Sequence, residues 1–198
     1  MQPTGENVLS VRLQLPRGWI ELPPPGQKPG GLLRRNPYEV LARQLVGAGA
    51  VIKPLTNATA AYLERVASAD PGVLGIASYV QALNREEHTF VTFAVFQGPR
   101  IGSADIEELA VRRNDSREGE HSVEQVDLPW GRAARASFTR TRTHGGEPRP
   151  FVQYWVEAPD QDHLIIVTGD VDAPAGSTVD HLLSDIDSLA RTLVISPR

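Results

Sequence analysis

The 198-residue chain has no cysteine, which removes thiolate catalysis, Cys-ligated zinc and disulfide bonds at once. The redox compartment stays open, because a cysteine-free protein suits either state. No stretch approaches the ~20 apolar residues that a membrane helix requires. Met1 to Asn7 is polar, with no apolar core of signal-peptide length and no lipid-anchor cysteine, so a cytoplasmic location is expected. Positive charge is not in excess either: 20 Lys and Arg stand against 24 Asp and Glu, for a net charge of -4. That balance gives no global attraction to nucleic acid or to anionic lipid, although it leaves room for a local basic patch.

Reaction motifs are missing as well. There is no Gly-x-Ser-x-Gly elbow and no Walker-type phosphate loop. The five histidines, His88, His121, His144, His163 and His181, are scattered without ligand-pair spacing. Asp170 and Asp172, with Asp160 and Asp162 in the preceding turn, are acidic enough to attract a hard cation but lack the glycine-kinked loop and ligating Glu of an oxygen cage. No catalytic, cofactor-binding or metal-ligating residue is therefore assigned, no cofactor is expected, and the chain reads as a non-enzyme.

What is present is a strong fold signal. With 40% hydrophobic and 22% charged residues, the chain suits one domain spanning 1–198, burying roughly 70% of its unfolded surface without a metal or disulfide staple. Its organising stretch is the last third. Phe151 to Ala158 and His163 to Asp170 are apolar strands joined by the polar turn Pro159-Asp160-Gln161-Asp162, which predicts an antiparallel hairpin. Leu164, Ile165, Ile166 and Val167 are consecutive, so apolar side chains leave both faces of the sheet and both need covering. Ser177 with Asp180 has the form of a capping box, and Val179, Leu182, Leu183, Ile186, Leu189, Ala190 and Leu193 follow at helical spacing. Asp180, His181, Ser184, Asp185, Asp187 and Arg191 form the solvated side of that helix.

Earlier in the chain, Val8 to Leu15 alternates as a half-buried strand, Pro16-Arg17-Gly18 turns it, and Trp19 to Leu22 resumes it. Residues 22–35 form a Pro/Gly-rich loop in which regular structure is forbidden. Asn36-Pro37-Tyr38-Glu39 starts a helix that ends at Gly47-Ala48-Gly49, and a second helix begins between Pro54 and Asn57. Val73 to Leu83 and His88 to Gln97 predict another hairpin. Ser103 caps a short helix through about Val111, residues 112–121 are a mixed-charge loop, and Ser122 to Leu128 and Gly131 to Thr143 are strands around Pro129-Trp130-Gly131. Hairpin connections dominate, so the expected architecture is α+β, an α/β/α sandwich. Its centre would be a largely antiparallel twisted sheet of about six to eight strands with helices on both faces.

This element order, with Leu15-Pro16-Arg17-Gly18-Trp19 near the start and an apolar hairpin plus amphipathic helix at the end, resembles the Mog1/PsbP-like proteins. The resemblance spans nearly the whole chain at the level of element order. It implies a central antiparallel sheet flanked by helices in a mostly non-enzymatic, often bacterial, accessory protein. The family supplies no catalytic residues to carry over.

The candidate partner-binding surface is basic and aromatic. Arg132, Arg135, Arg140 and Arg142, with Arg149, surround the segment from Gly131 to Pro150, near Trp130, Tyr154 and Trp155. Arginine with aromatics is the composition enriched in binding hot spots, and it suits an acidic protein surface or a phosphate-bearing ligand. The competing reading is that Arg and Thr line an exposed strand and protect it from edge pairing. The function expected is a non-catalytic cytoplasmic module docking a larger protein or complex, with neither nucleic acid nor membrane as partner; a homo-oligomer is compatible with this. The alternative is a small-molecule binder or enzyme with a pocket between sheet and helices, where His88 or Asp170 supplies polarity.

Overall fold

A computed structural model of the chain describes residues 9–22, 39, 42, 43, 57, 60, 61, 64, 72–82, 88–99, 105–114, 121–140, 149–158, 163–174 and 176–197. The elements are β1 (Leu9–Arg12), β2 (Ile20–Leu22), β3 (Val73–Ala82), β4 (His88–Pro99), α1 (Ile106–Asn114), β5 (His121–Leu128), β6 (Gly131–Arg140), β7 (Arg149–Glu157), β8 (His163–Asp172), α2 (Asp180–Thr192) and β9 (Val194–Pro197). Seven strands form one sheet in the order β2-β3-β4-β8-β7-β6-β5, and β1 pairs with β9 in a separate two-stranded sheet. Every pairing is antiparallel. The fold is thus α+β around a largely antiparallel sheet of the size anticipated.

The consecutive apolar residues of β7 and β8 divide between two clusters, as the pleat requires. Val152, Tyr154, Val156, Ile165, Val167 and Val171 join Leu182, Ile186, Leu189 and Ala190 of α2. Trp155, Leu164 and Ile166 instead join Ile106 and Ala110 of α1, with Ala134 and Ala136 of β6. A third cluster collects Leu22, Val73, Ile76 and Ala94 with Ala42 and Ala60. Glu39, Ala42 and Arg43, and Asn57, Ala60, Ala61 and Glu64, are helical, within the two stretches expected to be helices. The starts expected at Asn36 and around Pro54, and the Gly47-Ala48-Gly49 end, lie outside the described residues.

Two helix starts differ from expectation. Ser177 does not cap α2: its N–H closes a turn on the Pro174 carbonyl at 3.2 Å, and the N-cap position is Val179, with no side-chain cap. The carbonyl of Val179 accepts from Leu182 and Leu183 instead. The capping-box spacing lost to this turn, and the first helical residue, Asp180, lies past the reach of the serine. For α1, Ser103 lies outside the described residues, and Asp105 holds the start, its carboxylate accepting from the Glu107 N–H at 3.4 Å and its carbonyl from Leu109. Of the 112–121 loop, residues 112–114 belong to α1 and His121 to β5. From the 22–35 loop, Leu22 closes β2, and 23–35 lie outside the described residues.

The Pro16-Arg17-Gly18-Trp19 turn has a physical reason. Trp19 N–H bonds to the Pro16 carbonyl at 3.2 Å, and Gly18 sits at φ +91°, a conformation that side chains disfavour. The turn delivers Trp19 into the core, stacked on Tyr79 with ring centroids 5.9 Å apart. Leu9 is buried and Val11, Leu13 and Leu15 pack on the same cluster. At the other end Ser10 and Ser196 join β1 to β9 through their hydroxyls, 2.9 Å apart.

Candidate functional site

β6 is not an edge; it lies between β5 and β7, so its arginines do not guard a free strand. The pleat sends them to different places. Arg135 shares the α2 face with Tyr154, its register partner on β7. Its Nε and Nη2 grip the Asp187 carboxylate of α2 at 3.2 and 3.1 Å, and Nη1 reaches Glu124 of β5 at 3.1 Å. The guanidinium lies 6.0 Å from the Tyr154 ring centroid and also donates to its hydroxyl. That hydroxyl in turn donates to Asp187.

This network is electrostatically self-contained. Burial works against the Arg135 charge, but its hydrogen bonds to Asp187 and then to Tyr154 more than offset it and raise the guanidinium's pKa. Burial and the hydrogen bond to Asp187 also push the Tyr154 phenol well above its ordinary value. Tyr154 is 2% exposed, so it is a neutral interior bridge between sheet and helix. Asp187, assigned by pattern to the solvated side of its helix, is here half turned inward. No sequence spacing signals that pairing, since it depends on where α2 crosses β6 and β7.

The two tryptophans are also committed internally. Trp130, in the β5–β6 turn, donates from Nε1 to the Ala190 carbonyl of α2 at 2.7 Å, satisfying one of the carbonyls left free near a helix C-terminus. Trp155 is 3% exposed and packs with α1 on the opposite face of the sheet from Tyr154.

Arg132 is exposed near the turn, opposite Asp127. Arg140 is at the far end of β6, eight positions and roughly 27 Å of strand away. The expected basic cluster is therefore not one patch. By backbone register, Arg140 and Arg149 are partners at the end of the β6–β7 pair. The preceding pair along that face is Phe138 and Phe151, with ring centroids 4.9 Å apart. Arg142 lies outside the described residues.

Among the described residues no group of three or more His, Asp or Glu side chains converges as metal ligands would. Asp160 and Asp162 lie outside them. Two buried amide oxygens among the described residues accept no hydrogen bond: Oε1 of Gln97 on β4, and Oε1 of Gln153, 8% exposed on the face of Trp155. The neighbours of Gln153 by register are Ala136 and Thr168. No helix among the described residues is long and apolar enough to cross a membrane.

No family model and no curated protein sequence matches the chain. In fold it is similar to LpqN of Mycobacterium tuberculosis, a protein involved in cell envelope biogenesis. The match has a TM-score of 0.53 at 13% identity and covers 98% of this chain and 87% of LpqN. At this identity the likeness is one of fold alone.

Proposed function

We propose that the chain is a non-catalytic accessory module of Mog1/PsbP-like type, an α/β/α sandwich with helices on both faces, that docks a larger protein through the end of its β6–β7 pair. One observation carries this reading: Arg140 faces Arg149 in register, immediately beyond the Phe138–Phe151 ring pair. Like charges directly opposite one another on a sheet are destabilising, and a site that keeps them is suited to an anionic surface that neutralises both. The Phe138–Phe151 pair, both rings buried, forms a firm apolar footing under this end of the sheet. The partner class is thus an acidic protein surface, and Arg142, two positions after Arg140, extends the basic stretch in sequence. Arg132 stands apart from this surface, while Arg135, Trp130 and Trp155 support the scaffold behind it.

The likeness to LpqN agrees with an accessory role, and the part LpqN plays in envelope biogenesis gives the kind of machinery such a module serves. The cytoplasmic placement expected from the sequence is part of this reading; fractionation that recovers the full-length chain with the envelope would replace it. The docking claim is tested by in-cell cross-linking of the full-length protein in its native host, comparing wild type with the Arg140→Glu/Arg149→Glu double variant. Loss of the acidic partner's cross-links is expected. Equal recovery from both would remove the surface.

A second reading, a small-molecule binder, rests on Gln153. A buried amide oxygen without a donor costs about 1–3 kcal/mol, and a bound donor-bearing ligand would relieve it. Replacing Gln153 by Leu then abolishes any ligand-induced stabilisation found by screening, whereas undiminished stabilisation refutes this reading.

A further inference from the structure

Among the described residues β5 is the outermost strand at one edge of the seven-stranded sheet; the opposite edge, β2, is only three residues long. β5 has eight residues, and its register with β6 runs from His121↔Phe138 to Leu128↔Gly131 without a shift. Proteins usually blunt such an edge with bulges, prolines, lysines or inward-pointing charges. This strand contains none of the first three.

Its two carboxylates do not repel an incoming strand strongly, because one is paired within the same sheet and the other stands opposite an arginine in register. Glu124 is bonded to Arg135 at 3.1 Å, and Asp127 is the register partner of Arg132. What remains along the edge is Ser122, Val123, Gln125 and Val126, a regular, uncharged template for main-chain hydrogen bonds.

We propose that the occupant is a second copy of this chain, its β5 pairing antiparallel about a two-fold axis through Gln125. That register keeps each face of the sheet continuous across the junction. It sets Glu124 opposite Val126 of the second copy and Val123 opposite Asp127, so no like charges are directly opposed and the strand is self-complementary. A second observation points the same way. α1 rests on β5 as well as on β6 and β7, and it carries Val111, one of two large apolar side chains exposed among the described residues. Joining two β5 strands places both α1 helices on the same face of the continuous sheet.

Because the chain has no cysteine, a single introduced thiol reports the geometry. Sedimentation equilibrium of the full-length wild type is expected to give twice 21.6 kDa. The exposed Gln125→Cys variant is expected to form a covalent dimer with a short thiol cross-linker, because the two thiols meet at the axis. The Ser188→Cys control, on the exposed side of α2, is expected to stay monomeric. Gln125→Lys places two ammonium groups across the axis and is expected to return the mass to 21.6 kDa with an unchanged circular dichroism spectrum. A wild type that is monomeric at every concentration overturns the proposal, as does a dimer that survives Gln125→Lys or cross-links equally well through Ser188→Cys. The docking surface at Arg140 and Arg149 is separate, so either reading can fail alone.

Discussion

The phenol of Tyr154 on β7 donates to the carboxylate of Asp187 on α2, and Arg135 on β6 donates to both groups. This three-way bond spans sheet and helix and fixes the rotation of α2, while Trp130 bonds to Ala190 one turn further on. Removing the carboxylate leaves a largely buried guanidinium and a buried phenol short of partners. Asp187→Ala is expected to cost about 2 kcal/mol, in line with hydrogen bonds to charged groups. Glu124→Gln should cost no more than about 0.5 kcal/mol, because an exposed ion pair contributes little. Urea unfolding of the two variants beside wild type checks the contrast; equal losses would mean that the network does not anchor the helix.

The same bond predicts alkaline sensitivity. The Tyr154 phenol titrates higher in the folded chain than in the unfolded one, through burial and then the bond to Asp187. The folded state therefore holds its proton more tightly, and this contribution to stability is fully present below the unfolded value of about 10. It is lost as pH rises from there through the higher folded value. Tyrosinate absorbance during an alkaline titration should show one of the four tyrosines ionising only with unfolding. A Tyr154→Phe variant that keeps this late component would contradict the assignment.

At Gly169 on β8 the Ile186 side chain of α2 packs against bare backbone. A Cβ there would stand 2.4 Å from Cγ2 of Ile186, whereas one at Gly98 on β4 would meet nothing within 4 Å. Gly169→Ala should destabilise by about 1–3 kcal/mol through overpacking, and Gly98→Ala should be near neutral. Thermal unfolding distinguishes them, and a neutral Gly169→Ala would show that the helix can move away at no cost.

Much of this scaffold was legible in the sequence. Consecutive apolar residues in Leu164 to Val167 predicted apolar side chains on both pleat faces, and they do divide between two separate clusters. Short polar turns identified the hairpins because turn chemistry is local. The Leu15 to Trp19 stretch was recognisable because a positive φ at Gly18 and a buried ring at Trp19 leave few substitutes. The site was less legible. Counting arginines could not reveal that Arg135 turns toward Asp187, or that Arg140 meets Arg149, since both depend on pairings between segments distant in sequence. Pattern likewise suggested a cap at Ser177, where a local turn won instead.

The Arg140–Arg149 register makes opposite demands on stability and docking. Arg140→Glu alone converts a like-charge pair into an opposite-charge pair and should raise stability by about 0.2–1 kcal/mol while weakening the association with an acidic partner. Guanidinium chloride would screen that effect, so urea unfolding at low ionic strength is the suitable measurement. A destabilised Arg140→Glu would mean that both arginines already have counter-charges within the chain.

Docking through this end of the sheet is tested most directly by mapping cross-links on the native-host protein, wild type against Arg140→Glu/Arg149→Glu, with both shown to unfold at the same urea concentration. Wild-type cross-links to a single acidic surface are expected to cluster at the β6–β7 end and to disappear in the double variant. Cross-links that persist in the double variant, or that concentrate on another face of the molecule, would contradict it.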